Sequence, residues 1–440
     1  MPGRTEQPAT TPPITHRLGY RGDVTPKVLH LSTYAGNGGA GRAASSLHEA
    51  MLGQGVSSAL LTAEGLRFRI ASELDRRLWS LQSSPHTTWR SPARFASLTA
   101  RHINALEPDI VNLHWVTDGF LSVEEIGRIT APIVWTMHDM WPFTGIEHYT
   151  ADASEPRDAS TTESRSEPRW QSGYTSSNRP IEESGLDLDK WTWERKKRHW
   201  VRAPHLVPVS TWLGDMAHRS ALAQSWPLTV IPNVMPVDRF TPQDRQEART
   251  SLHLPADSPL IAFTASAGIS DRRKGWQHLR DALPALQRAF PDVGVIVIGP
   301  HIEADDPGTT ASIHWQGEIH DDRRMARLIA AADVVAVPSE TDNLPMTACE
   351  AQSCGRPVVA FDVGGLPDVV AHQATGYLAR PFDELDFAEG LRQAIHNSDV
   401  RDDSPHQQTW GAQAREEATA RWSAQTVVQQ YLEVYRQVLA

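Results

Sequence analysis

The chain has 440 residues, 40% of them apolar and 22% charged, and carries a formal net charge of −11. That composition excludes wholesale disorder, and at ~150 residues per domain the length exceeds one core, so two large domains are the simplest division. The acidic balance excludes a basic field for nucleic acid, and the two cysteines, Cys349 and Cys354, exclude a disulfide framework or a four-cysteine zinc site.

Residues 1–26 are rich in Pro and Thr, lack periodicity and are expected to form a disordered tail. They contain no apolar signal core, and no later run approaches ~18 apolar residues, so a cytoplasmic protein without a spanning helix is expected. Order is predicted to begin at "KVLHLST", a short apolar strand, followed by "YAGNGGAGRAASSLHEAMLGQG", a glycine loop leading into a helix. "DIVNLHW" and "APIVWTMHD" predict two more buried strands, separated by a helical stretch around "LSVEEIGRI".

Between residues 150 and 190 the sequence turns polar and aperiodic, which predicts a long surface insertion, mobile at least in part. Within the next segment, "WTWERKKRHWVRAP" mixes aromatic and basic residues on a predicted helix. It reads as a solvated helix or as a face for an anionic membrane. "HLVPVSTWLGDMAHRS" then predicts a strand and a capped helix, and "LTVIPNVMPVDRFTP" a crossing between domains.

The second half repeats the alternation, with strands predicted at "LIAFTAS", "VGVIVIG", "SIHWQGE", "DVVAVPS" and "PVVAFD". Strands alternating with helices predict an α/β protein of two Rossmann-like, doubly wound parallel sheets facing across a cleft. The expected domains are residues 27–235, including the insertion 150–190, and residues 236–420, with a last helix at 421–440 packing back on the first domain.

Three stretches carry chemistry. In "GNGGAGR", Gly36 to Arg42, glycines before a helix let backbone N–H groups approach an anion, although a tight turn needing positive φ explains them equally well. In "SDRRKGW", Arg272, Arg273 and Lys274 stand at a helix start and oppose its dipole unless they serve an anion such as a diphosphate; the alternative is a solvated charge run. In "ETDNLPMTACEAQSCG", Asp342 lies in a loop and Glu350 about two turns into a helix of small residues. They could accept sugar or ribose hydroxyls, or Glu350 could be a buried glutamate satisfied by backbone.

The last of these stretches resembles the donor-binding signature of retaining glycosyltransferases of family 4, which have the GT-B fold. The pattern of two acids with seven residues between them, then Ala, Gly-x-Pro-Val-Val and a glycine pair, is met by Glu350, Ala351, Gly355, Pro357 to Val359, Gly364 and Gly365, with Asp342 replacing the first glutamate. "VWTMHDMWPFTG" and "VIPNVMPVDRF" resemble the exopolysaccharide and colanic-acid-type subgroup. Gly268 stands where many members carry an arginine.

The resemblance implies a retaining hexosyltransferase that moves a sugar from a nucleoside-diphosphate sugar to a glycan or lipid-linked acceptor in surface polysaccharide assembly. It implies no cofactor and no metal. Arg273 and Lys274 would neutralise the diphosphate, Glu350 would hold the ribose, and Asp342 with the backbone of Asn343, Leu344, Pro345 and Met346 would address the donor sugar and its phosphate. His138 would lie beside the reacting sugar, and Gly38 and Gly39 would approach the diphosphate or the acceptor. The other readings are a nucleotide-sugar epimerase and a catalytically degenerate nucleotide-sugar-binding scaffold. Peripheral contact with the inner face of the membrane would follow from a lipid-linked acceptor, and no nucleic-acid partner is expected.

Overall fold

A computed structural model describes residues 25–36, 38–85, 89–150, 167–265, 268–300, 308–398 and 409–440. The expected tail up to residue 24 and residues 151–166 of the insertion lie outside this set.

The first sheet has five parallel strands, β1 (Val28–Ser32), β2 (Ser58–Thr62), β3 (Ile110–Leu113), β4 (Ile133–Met137) and β5 (His205–Pro208), in the order β2-β1-β3-β4-β5. The second has six, β6 (Leu260–Thr264), β7 (Gly294–Ile298), β8 (Ser312–Trp315), β9 (Val334–Val337), β10 (Val358–Phe361) and β11 (Gly376–Ala379), in the order β8-β7-β6-β9-β10-β11. Both are doubly wound: the winding reverses between β1 and β3 in one sheet and between β6 and β9 in the other. Such reversals open a crevice at the carboxyl ends of the strands. Central strands such as β1 and β7 are buried along their whole length, which is why they read as short continuous apolar runs.

Of the helices that matter for the site, those after β1, β6 and β9 follow strands at these reversals. After β1 comes α1 (Gly38–Gly53), which begins inside the stretch read as a glycine loop. Later come α2 (Leu188–His199), α3 (Thr211–Arg219), α4 (Trp276–Gln287) and α5 (Met346–Ser353). The Ser210 hydroxyl caps α3 by accepting from the Leu213 N–H.

The last helix, α6 (Ala424–Leu439), is capped by Ser423 and lies on the first domain. Its Val427, Val428, Tyr431, Val434 and Tyr435 share a buried cluster with Val28, Leu47 and Met51. The Asn112 side chain donates to the Tyr435 hydroxyl at 2.8 Å, and the Tyr431 and Thr136 hydroxyls are 2.9 Å apart. The preceding helix, Trp410–Trp422, stays with the second domain, where Arg415 donates to the carbonyls of Val237, Phe240 and Ser353.

Two regions differ from the sequence reading. Residues 167–190 of the insertion are docked: Trp170 is buried against Phe143, and Arg169 is paired with Asp187 at 2.7 Å. The basic helix α2 turns two of its cations inward. Arg195 binds Glu124 at 2.7 Å, and the fully buried Lys196 donates to the carbonyls of Trp141, Thr144 and Gly145. Only Lys190, Lys197 and Arg198 of its cations remain near solvent, a thin basis for a membrane face. No helix among the described residues is long and apolar enough to cross a membrane.

Candidate functional site

A cleft of about 760 Å³ lies between the sheets, lined from the first domain by Gly39, Arg42 and His138 and from the second by Arg273, Lys274 and the Asp342–Thr347 segment. Its size suits a small organic ligand. Gly39 and Arg42 follow β1, and the Arg273–Lys274 turn and the Asp342 loop follow β6 and β9, so most of the cleft follows from strand order.

On the second domain, Arg272–Lys274 form a single 3₁₀ turn, with the Asp271 carboxylate accepting from the Arg273 N–H at 3.1 Å. Gly275 ends the turn at φ +73°, and a Cβ there would stand 1.8 Å from the Pro338 carbonyl oxygen, so only glycine lets the turn meet the end of β9. Lys274 donates to Asp342 at 2.7 Å, with Arg273 at 3.5 Å from the same oxygen. Burial opposes ionisation of Asp342, but the two cations outweigh it and hold the carboxyl below its ordinary range. Lys274 and Asp342, expected to serve different parts of a donor, are therefore one ion pair on the cleft wall.

Asn343 spends its carboxamide between the domains. It accepts from the Ser210 hydroxyl, and its Nδ2 donates to the His138 carbonyl at 3.0 Å. Leu344 is buried in the second core, and the Met346 sulfur lies 3.8 Å from the Asn233 amide. Leu344, Pro345 and Met346 still edge the cleft. The loop is held from behind by Gly364 and Gly365: a Cβ on Gly365 would sit 1.6 Å from the Asn343 carbonyl oxygen.

Glu350 is the fifth residue of α5, one turn from its start rather than two. It is not satisfied by backbone. Its side chain, 2% exposed, is paired with Arg42 of the first domain at 3.1 Å, while Arg42 is 40% exposed. Burial pushes the Glu350 carboxyl up and Arg42 pulls it back only in part. Gly36 and Gly38 have φ of +71° and +67°, so the tight-turn reading holds at these two positions. Gly39 is different: it lines the cleft with nothing within 4 Å of where a Cβ would be, at the positive end of α1.

His138, just past β4, lines the cleft and continues inward as a row of rings. His138 Nε2 is 3.2 Å from His114 Nδ1, and His114 Nε2 is 3.0 Å from His30 Nδ1. Burial keeps all three neutral, pushing His138 down to about 4, His30 to about 3 and His114 well below its ordinary value. With Nε2 engaged by His114, Nδ1 is the His138 nitrogen left for a ligand.

Thus Arg273, Lys274, Asp342, Asn343, Leu344, Pro345, Met346, Gly39 and His138 meet at one cleft, with Glu350 reaching it through Arg42, while Gly38 opens α1 without forming the wall. Sequence reasoning missed Arg42, Ser210 and the two inner histidines. Arg42 was readable in part: once α1 starts at Gly38, it stands four residues on, above the same helix end.

Two parallel sheets with a ligand-sized cleft at their winding reversals define the GT-B architecture. Residues 37–239 match the family described as Glycosyltransferase Family 4, and residues 258–397 that described as Glycosyl transferases group 1. These two matches, one on each half of the chain, support a glycosyltransferase of the family 4 type.

Solved structures share the fold. Sucrose-phosphate synthase from Thermosynechococcus elongatus is 17% identical, with a TM-score of 0.61 over 94% of this chain and 99% of that one. HepE from Anabaena, in complex with UDP and glucose, is 17% identical, with a TM-score of 0.58 over 93% and 99%. Among curated proteins, the D-inositol 3-phosphate glycosyltransferase of Saccharomonospora viridis is 33% identical over 227 residues, 48% of this chain and 50% of that protein. Its counterpart in Jonesia denitrificans is 28% identical over 313 residues, 67% and 65% of the two chains. The chain spans about half the length of the first of these curated relatives.

Proposed function

We propose that the chain is a retaining glycosyltransferase that moves a sugar from a nucleoside diphosphate to a glycan or lipid-linked acceptor in surface polysaccharide assembly, on the cytoplasmic side of the membrane. The observation that carries this reading is the meeting of the Arg273–Lys274 turn, Asp342, His138 and the α1 N-terminus in one interdomain cleft.

As the bond to the leaving diphosphate stretches, negative charge grows on its oxygens. Arg273, Lys274 and the N–H groups opening α1 stabilise that charge in place of a metal. The anomeric carbon becomes cation-like. A carboxylate nucleophile is not proposed, because the acids at the cleft are already engaged: Asp342 with Lys274, Glu350 with Arg42, Asp139 with His148 and Asp271 with the Arg273 N–H. The acceptor hydroxyl attacks from the face the diphosphate leaves, gives its proton to the departing phosphate, and configuration is retained. His138, neutral, hydrogen-bonds the sugar through Nδ1.

A second reading of the acceptor, an inositol phosphate, is favoured by the names of the curated relatives. The test is a thermal-shift screen against UDP, GDP, ADP and dTDP and their sugars with EDTA present. Incubation of the stabilising donor with glycan, lipid-linked and inositol phosphate acceptors follows, and the anomeric configuration of the product is read by NMR. One stabilising nucleotide and an acceptor-dependent, retained product support the reading. Stabilisation with donor turnover but no acceptor dependence would favour an epimerase, and no shift with any nucleotide would remove the donor site.

A further inference from the structure

Arg42 and Glu350 form an ion pair that the donor-site reading leaves unexplained. If Glu350 receives the ribose, it is already in use. The pair is unequal: Glu350 is fixed within α5 and 2% exposed, whereas Arg42 is 40% exposed and lines the cleft. Only the arginine has room to move. On the same wall, Arg273 and Lys274 share Asp342 as counter-ion, so part of their charge is spent before any anion arrives. Gly268 contributes no side chain to the segment that leads into their turn.

We propose that Arg42 exchanges partners when a nucleoside diphosphate binds, giving Glu350 up to the ribose hydroxyls and turning to the diphosphate. This inference rests on the reading of Glu350 as the ribose-binding residue. Two hydroxyl donors satisfy a buried carboxylate's hydrogen bonds, which frees the guanidinium. A planar, permanently charged group with several donors then suits phosphate oxygens better than a second lysine would. Arg42 stands one turn into α1, whose open glycine end faces the same cleft, so cation and helix terminus act on one anion. The contribution comes from the first domain, so the donor is gripped from both sides.

The test is titration calorimetry of UDP and ligand-observed NMR of uridine, or the matching pair for whichever base gives the largest thermal shift. With Arg42→Ala, UDP affinity is expected to fall about tenfold or more, while the nucleoside binds as tightly as before or tighter. Removing Arg42 strands a buried carboxylate, so Arg42→Gln is measured beside it as a folded variant that keeps donors without charge. The same split is expected. Equal weakening of UDP and uridine would reduce Arg42 to a structural partner of Glu350, and tightening of both would make it a simple block; either overturns the exchange. Glu350→Gln separates the underlying reading: it should weaken uridine, and an unchanged nucleoside affinity would show that Glu350 is not the ribose residue.

Discussion

Asn343 and His138, 205 residues apart, are joined across the domain boundary by a 3.0 Å hydrogen bond from the Asn343 amide to the His138 carbonyl. In a loop whose backbone is expected to face the donor, the Asn343 side chain holds the two walls of the cleft in register. It does so at the residue whose ring faces the ligand. Asn343→Ala is therefore expected to cost about 1–3 kcal/mol, because it strands the Ser210 hydroxyl as well as the carbonyl. Thermal unfolding reads the loss, and a larger radius of gyration in small-angle scattering reads the loosened domains.

Gly365→Ala should disturb the same contact from behind. The added methyl, 1.6 Å from the Asn343 carbonyl oxygen, must displace a loop that also carries Asp342. A loss of about 1–3 kcal/mol is expected. Donor affinity should fall with it, whereas alanine at Gly39, where nothing lies within 4 Å, should leave stability almost unchanged. Paired melting and titration curves check both.

Lys274→Ala should weaken nucleoside diphosphate binding by about 1.5–3 kcal/mol, measured by calorimetry. Because Lys274 is bonded to Asp342 at 2.7 Å, the loss should be non-additive with Asp342→Asn in a double-mutant cycle. Additive losses would show that the two residues act on separate parts of the donor.

The histidine row sets a pH dependence. Above ~6.5 the three rings are neutral in the folded and the unfolded chain alike, and stability is complete. As pH falls, the unfolded chain takes up protons first, while folded His138 resists until about 4 and His30 until about 3. Stability should therefore decline below ~6.5, by up to about 3 kcal/mol for each ring by pH 4. Melting temperatures between pH 7.5 and 4.5 check this, and His30→Gln should flatten the curve. The groups facing the row are Asp139 beside His138 and His48 near His30.

Much of the fold was legible because parallel strands buried on both faces must be nearly all apolar. "LIAFTAS", "VGVIVIG" and "DVVAVPS" can be little else. β11 escaped because it breaks the apolar run by opening with Gly376, whose missing Cβ admits the β10 backbone. The Asp342–Glu350 segment was legible as a site because local spacing places both acids on one loop and helix. The partners of those acids were not, since Arg42 is 308 residues from Glu350 and nothing local links them. The histidines in "KVLHLST" and "DIVNLHW" offered a fainter signal. A polar ring inside a buried strand needs a neighbour, and the pairing of His30 with Asn112 puts His114 two residues along.

The helix that closes the chain gives the molecule an order of assembly. Tyr431 and Tyr435 complete hydrogen bonds to Thr136 and Asn112 in the centre of the first sheet, and their helix covers Leu47 and Met51. During synthesis that surface stays uncovered until Ala424–Leu439 have been made, long after the strands beneath it. The first domain thus completes its core only after the second has been made, and a chain without this helix would expose apolar surface on the first domain.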